Sequence, residues 1–273
     1  MRISDGGFGP RRHLNDSSPA ALAEKRYMKR RIICMTIDEA RHNKDKKLDE
    51  IIAAYLPHER EARSLGVPVL GSGRVFHVEE RSVRVEPFLI PPHWPQLNGI
   101  DFGWDHPFAA VNCAWDRDAD IFYVTKEYRE RLATPLIHAG ALKPWGEWIP
   151  IAWPHDGLAH DKGSGEQLAR QYAGHGLAML PERATFEDGS SGLEAGLMEM
   201  LERMLTGRWK VFATCGAWFE EFRLYHRDEG RVVKRMDDLI SASRYALMMR
   251  RRAIVKPSKR DAVTSRGVGG WMA

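Results

Sequence analysis

Apolar positions are scattered through residues 1–30, which are rich in Gly, Pro, Ser, Asn and Arg and show no period long enough to bury an element. This segment is expected to be disordered or partner-dependent. Residues 31–37 (RIICMTI) read as a short strand. Residues 46–63 set Leu48, Ile51, Ile52 and Tyr55 at helical spacing until Pro57 breaks it, and Gly66, Gly71 and Gly73 then mark a loop. Residues 74–97 alternate at Val83 and Val85, then pass through IPPHWP (90–95), which cannot continue a helix and suits an extended entry into a domain. The expected organisation is a connector over 31–97, a main domain over 98–255 and a basic flexible tail over 256–273.

Within the main domain the pattern predicts buried strands at 99–103 and 109–115, a polar turn at 116–120 and a third strand at 121–128. Connections this short imply an antiparallel meander. Beyond Thr134 the pattern changes to alternation: helix over 135–143, strand over 148–153, helix over 165–175, strand over 177–180 and helix over 193–205. A short hairpin strand follows at 231–234. The last helix, 238–250, has an apolar face through Leu239, Ala242, Ala246 and Met249. Three meander strands followed by βα units describe an α/β fold with an RNase H-like mixed sheet flanked by helices.

Composition adds bounds rather than identity. The 273 residues are 43% hydrophobic and 10% aromatic, ordinary values for a soluble globular chain. No run of eighteen apolar residues exists and the first residues lack a signal-peptide core, so a cytosolic chain with no membrane partner is expected. Cys34, Cys113 and Cys215 are far apart and without CxxC spacing, which argues against a disulfide framework or a zinc cluster. The net charge of +4 is mild, but Arg250, Arg251, Arg252, Lys256, Lys259 and Arg260 crowd one end against the single acid Asp261. That run makes nucleic acid a plausible partner, with Arg250, Arg251, Arg252 and Lys256 as candidate DNA contacts; a solvated helix end and frayed tail is the plainer alternative.

The candidate chemistry lies in three acidic stretches: GIDFGWDHP (99–107), AWPHDG (152–157) and KRMDDL (234–239). Asp101 would lie in the first main strand, Asp156 just past a strand end, and Asp237 and Asp238 at the first turn of the last helix. In an RNase H-like topology these places adjoin. Phosphodiester hydrolysis needs an activated water and stabilisation of charge at phosphorus and at the leaving oxygen. Two Mg²⁺ or Mn²⁺ ions roughly 3.5–4 Å apart can supply both, and carboxylates are the ligands such ions prefer. The expectation is that Asp101 bridges the ions, that Asp156 and one of Asp237 and Asp238 hold one each, and that the other of that pair caps the helix. Turn and cap chemistry alone could explain Asp156 and the doublet, but not an acid in a strand interior. Asp105, His106, His155, His160 and Asp161 are accessory candidates with exposed loop residues as the alternative, and Lys234 is a candidate phosphate contact. A GxxxxGK[ST] phosphate loop and a GxSxG elbow are both absent.

These residues resemble the C-terminal nuclease half of the large terminase subunit of tailed bacteriophages. The similarity runs through MTIDEA (35–40), YLPHEREAR (55–63), GSGR (71–74), GIDFGWDHP, AWPHDG, LPER (180–183) and DDLISASRYAL (237–247). The resemblance implies an RNase H-like endonuclease that cuts concatemeric phage DNA during genome packaging with Mg²⁺ or Mn²⁺, acting in the bacterial host cytoplasm. Asp101, Asp156 and the Asp237–Asp238 pair fall on that family's acidic motifs. Double-stranded DNA, a small terminase subunit, a portal protein and a separate packaging ATPase are the partners it implies. Such subunits also carry an N-terminal packaging ATPase, of which only the stretch resembling its end is seen here; a truncated chain, a prophage remnant or one part of a split protein are the alternatives. Two other classes are an actin-like nucleotide-binding ATPase, which also has a Gly99-Ile-Asp-Phe-Gly-like loop before a meander, and an inactive remnant serving as a DNA- or portal-binding module.

Overall fold

The computed structural model describes residues 73–160 and 165–257. The segments 1–30 and 31–37, the helix expected in 46–63, Asp161 and the tail from 258 onward lie outside the described residues. A short helix α1 (Glu80–Val83) leads into β1 (Arg84–Val85), followed by β2 (Gln96–Asp101), β3 (Phe108–Asp116) and β4 (Ile121–Glu130). Then come α2 (Pro135–Leu142), a 3₁₀ turn (Lys143–Trp145), β5 (Ile151–Ala152), a second 3₁₀ turn (His155–Leu158), α3 (Leu168–Gly174) and α4 (Leu193–Leu205). The chain continues through β6 (Trp209–Phe212), α5 (Gly216–Leu224), the hairpin β7 (Arg227–Asp228) and β8 (Arg231–Val232), α6 (Asp238–Met248) and a last 3₁₀ turn (Arg250–Arg252).

Six strands form one mixed sheet in the order β1-β6-β4-β3-β2-β5. The meander β2-β3-β4 is antiparallel, whereas β5 joins β2, and β6 joins β4 and β1, in parallel. The mixed sheet is the one expected, with two corrections of detail. The strand expected over 148–153 shrinks to Ile151–Ala152, because Pro150 and Pro154 bracket it and neither has an N–H to extend a ladder. The strand expected over 177–180 is only an isolated bridge between Met179 and Ile151, closed by Pro181. Strand β6 and helix α5 are not among the expected elements. The first is a four-residue buried segment, and the second buries Trp218, Phe219 and Phe222 on one side.

Alternation along the strands divides the core. Leu97, Ala109, Val111 and Cys113 face the larger cluster beneath α4, α5 and α6, while Ile100, Phe108 and Ala110 face a smaller one with residues of α2 and α3. Val75, Phe76, Val78 and Val83, ahead of the meander, pack into the larger cluster. Helix α6 is buried on nearly every side, not on the single face expected, because it lies between the sheet and its neighbouring helices. It touches the sheet at Gly99, where an added Cβ would stand 2.0 Å from the Ala242 carbonyl oxygen and 2.9 Å from the Ala246 Cβ. Only a glycine in β2 and small residues on α6 allow that approach.

The starts of α5 and α6 are capped by glutamates from other elements. Ala217 and Trp218 donate their backbone N–H groups to Glu127 of β4 at 2.9 and 2.7 Å. Leu239 and Ile240 donate theirs to Glu221 of α5 at 2.7 and 3.1 Å, and Arg129 of β4 donates to the other Glu221 oxygen at 2.7 Å. The cap expected from one of Asp237 and Asp238 is therefore absent: Asp237 occupies the N-cap position and makes no side-chain cap bond. Among the described residues no helix is long and apolar enough to cross a membrane.

Candidate metal centre

The acids converge for local reasons that can be traced. Asp101 is the last residue of β2, not in the interior of the strand expected over 99–103, because the tight turn at Gly103 ends the ladder; two residues after Gly99, it shares that residue's strand face and points to the side on which α6 packs. The adjacent turn is tight: an added Cβ on Gly103 would meet the His106 and Pro107 carbonyl oxygens at 2.4 Å. Asp156 sits in the 3₁₀ turn after β5. That turn is seated on Trp153 through Gly157, where a Cβ would come within 2.4 Å of the indole, and the indole N–H is anchored on the Leu180 carbonyl at 2.8 Å. Asp237 and Asp238 stand at the start of α6, freed from capping by Glu221.

All four aspartates line one cavity of about 420 Å³, together with His106, Lys234, Ser241, Arg244 and Tyr245. Asp238 also lines an adjoining cavity of about 310 Å³ with Arg129, Arg131 and Met236. Burial pushes the half-buried Asp101 carboxyl up to about 8, and Asp238 and Asp237 push it further in the same direction, against Arg244. Asp237 is raised to about 6 by burial and by Asp238, with Lys234 opposing. Asp238 is raised by burial, against Arg129 and His106. The site thus holds more negative charge than its own cations offset.

Among the described residues no three His, Cys, Asp or Glu side chains close on a single point as a finished ligand set. The donors are carboxylate oxygens spread around an open cavity. Such a set fits a hard cation that keeps water or phosphate oxygens in its remaining positions, as Mg²⁺ does, better than a closed four-ligand zinc site.

The other sequence-derived candidates fall in different places. Lys234 lines the cavity, exposed, whereas Asp105 and His155 are exposed residues that do not line it; His160, also exposed, bridges to Gln167. Arg250 pairs with Glu199 at 2.7 Å, Arg251 donates to the Thr185 and Met248 carbonyls, and Arg252 pairs with Glu182 at 2.6 Å. These arginines tie the end of α6 to the rest of the fold, and Lys256 is exposed. Sequence reasoning missed Ser241, Arg244 and Tyr245, although they follow Asp237 and Asp238 at helical spacing and could have been found by it. It also missed Glu221, whose role depends on an approach between helices that no local pattern encodes.

The sheet order and the acids at the ends of β2 and β5 and the start of α6 define an RNase H-like domain. Residues 98–250 match the family described as the Terminase RNaseH-like domain, and residues 10–83 match the T4likevirus-type N-terminal region of the terminase large subunit. The chain belongs to the terminase large-subunit family. It is 48% identical over 236 residues to the terminase large subunit of Salmonella phage P22, covering 84% of this chain and 47% of that protein. It is 49% identical over 223 residues to its counterpart in Enterobacteria phage LP7, covering 81% of this chain and 47% of that protein. It thus spans about half the length of these relatives. The solved P22 large terminase nuclease domain superposes with a TM-score of 0.64 at 49% identity, covering 70% of this chain and 97% of that one. The large terminase of a thermophilic bacteriophage shares the fold at 17% identity with a TM-score of 0.51, covering 79% of this chain and 55% of that one.

Proposed function

We propose that this chain is a divalent-metal-dependent endodeoxyribonuclease that hydrolyses phosphodiesters of double-stranded DNA, cutting concatemeric phage DNA during genome packaging. The observation that carries the reading is the convergence of Asp101, Asp156, Asp237 and Asp238 on one cavity. The nuclease domain of P22, similar over nearly all its length, supports the reaction class. Asp101, Asp156 and the Asp237–Asp238 pair would hold the Mg²⁺ or Mn²⁺ ions, two in number on this reading. Bound there, the ions supply an activated water and neutralise charge on the phosphate and the leaving oxygen.

The protein's own contribution is placement. Asp101 is fixed by a strand, Asp156 by a turn seated on Trp153, and the doublet by a helix start whose N–H groups are already occupied by Glu221. Lys234, which lines the cavity, and Arg131, which lines the adjoining one with Asp238, are cations that would meet backbone phosphates of bound DNA. A small terminase subunit, a portal protein and a packaging ATPase would be its partners, in the cytoplasm of the bacterial host.

The test is digestion of supercoiled plasmid with Mg²⁺ or Mn²⁺ by the wild-type chain and by Asp101→Asn. The expected result is cleavage by the first, suppressed by a chelator, and none by the second. Equal digestion by both would remove Asp101 from the chemistry and the reading with it.

A further inference from the structure

The acids are not the only charges in the cavity, and they do not account for the place of Arg244. This residue lies two turns along α6 from Asp237, lines the same cavity, and is only 6% exposed. The fold makes room for it: a Cβ on Gly196 of α4 would stand 2.6 Å from the Arg244 Cδ and 2.7 Å from its Cγ, so the side chain crosses α4 where only a glycine lets it pass. Its guanidinium lies over the Tyr245 ring at 4.3 Å.

What this slot lacks is an anion in contact. Arg84 and Arg223 pair with Glu80, Arg129 with Glu221, and Arg203 with Asp120. Arg244 forms no ion pair among the described residues. Its Nη1 meets the Met248 sulfur at 3.5 Å, a weak acceptor, a side-chain hydrogen bond joins it to the neutral Tyr245 hydroxyl, and its Nε is buried without a partner. Burying a guanidinium without a hydrogen-bonded anion is unfavourable, and the neighbouring carboxylates offset the charge through space without satisfying the donors. A planar fork of donors matches the oxygens of a phosphate, the group that the proposed reaction brings into this cavity.

We infer that Arg244 is a catalytic residue that binds a non-bridging oxygen of the scissile phosphate and stabilises the charge that gathers there as the bond to the leaving oxygen breaks. The assignment rests on the proposal that these acids cut DNA. A purely electrostatic counter-charge for the aspartates predicts something different. Without it, cations would bind the acids more tightly, and DNA affinity would not depend on the guanidinium.

The experiment compares Arg244→Met, which keeps the length of the stem, with Arg244→Lys, which keeps the charge and loses the fork. Gly196→Ala serves as a third variant that displaces the stem without removing the charge. Three quantities are measured: kcat and KM on a defined duplex, Mn²⁺ binding to the DNA-free protein by calorimetry, and duplex affinity in an Asp101→Asn background. For Arg244→Met the expected loss in kcat is ~10²–10³-fold, with weaker duplex binding and Mn²⁺ bound as tightly as before. Arg244→Lys and Gly196→Ala should fall between it and the wild type. Wild-type kcat and duplex affinity in Arg244→Met would overturn the inference, as would a parallel fall in Mn²⁺ binding, cleavage and melting temperature, which would mark the residue as structural. Asp101→Asn keeps the two readings apart. If that variant still cuts, the nuclease reading falls; if it is inactive while Arg244→Met cuts normally, only the Arg244 assignment falls.

Discussion

Asp101 is where the cost of the site is concentrated. Burial and the neighbouring carboxylates of Asp238, Asp237 and Asp156 raise its pKa to about 8, against 3.8 for an unperturbed aspartate. Between those values the folded protein binds a proton that the unfolded chain releases. In the metal-free protein this group's stabilising contribution is therefore fully present at low pH, declines as pH rises toward about 8, and is flat above. Asp237, raised to about 6, and Glu221, raised to about 7, both by burial, act in the same direction. Thermal melts in a chelator across pH 5–9 should show this decline, and Asp101→Asn should make it shallower, leaving the share of Asp237 and Glu221; an unchanged slope would mean that Asp101 does not contribute. Proton and metal compete for the same oxygens, so the Mn²⁺ concentration for half-maximal cleavage should fall as pH rises over that range. At this scale Asp101 was legible because no turn or cap explains an acid between Ile100 and Phe102. Arg244 was not, because an arginine on a helix gives no sign of whether it meets water, a carboxylate or a phosphate.

At the scale of elements, α6 organises the site. It lies against β2 at Gly99, carries two of the acids, and has its first turn capped by Glu221. Gly99→Val should force the helix off the sheet. Overpacking of this kind costs about 1–3 kcal/mol, measurable as a lower urea midpoint, and cleavage should fall further than stability because Asp101 and the doublet separate. Glu221→Ala would leave two N–H groups without their acceptor and Arg129 with only Glu220, 3.8 Å away. Loss of one partner of a buried pair costs roughly 3–5 kcal/mol. Glu221→Gln, which keeps an acceptor oxygen, should lose less in the same denaturation experiment. Helix α4 was predicted over 193–205 and found there, since its amphipathic period is long. Helix α5 and strand β6 have no such signature, one being short and crowded with aromatics and the other only four residues long. Short buried segments carry little period of their own.

The whole molecule has a small positive excess, and its basic cluster is partly committed inside the fold. Arg250 and Arg252 are paired with Glu199 and Glu182, at the opposite end of a helix of 11 residues from the acids, roughly 16 Å away at 1.5 Å per residue. Duplex affinity should decline steeply with salt if backbone phosphates are contacted. Lys256→Ala, at an exposed position, should lower the slope of log affinity against log salt by ~1, whereas Arg250→Ala should chiefly lower the melting temperature. Equal slopes for wild type and Lys256→Ala would exclude that residue from the DNA surface.

The sequence by itself determined the antiparallel meander, the helices over 135–143 and 193–205, and the acidic stretches whose aspartates meet at one cavity, because periodicity and turn residues are local and an acid in an apolar strand is conspicuous. Only the tertiary structure decided that Glu221 caps α6 in place of an aspartate and that α6 is buried on nearly all sides. It likewise decided that Arg250 and Arg252 after α6 are tied into ion pairs and that Arg244 enters the acid cavity. Each of these depends on which groups meet across distant parts of the chain, and hydrogen bonds and desolvation are set by those meetings rather than by residue type.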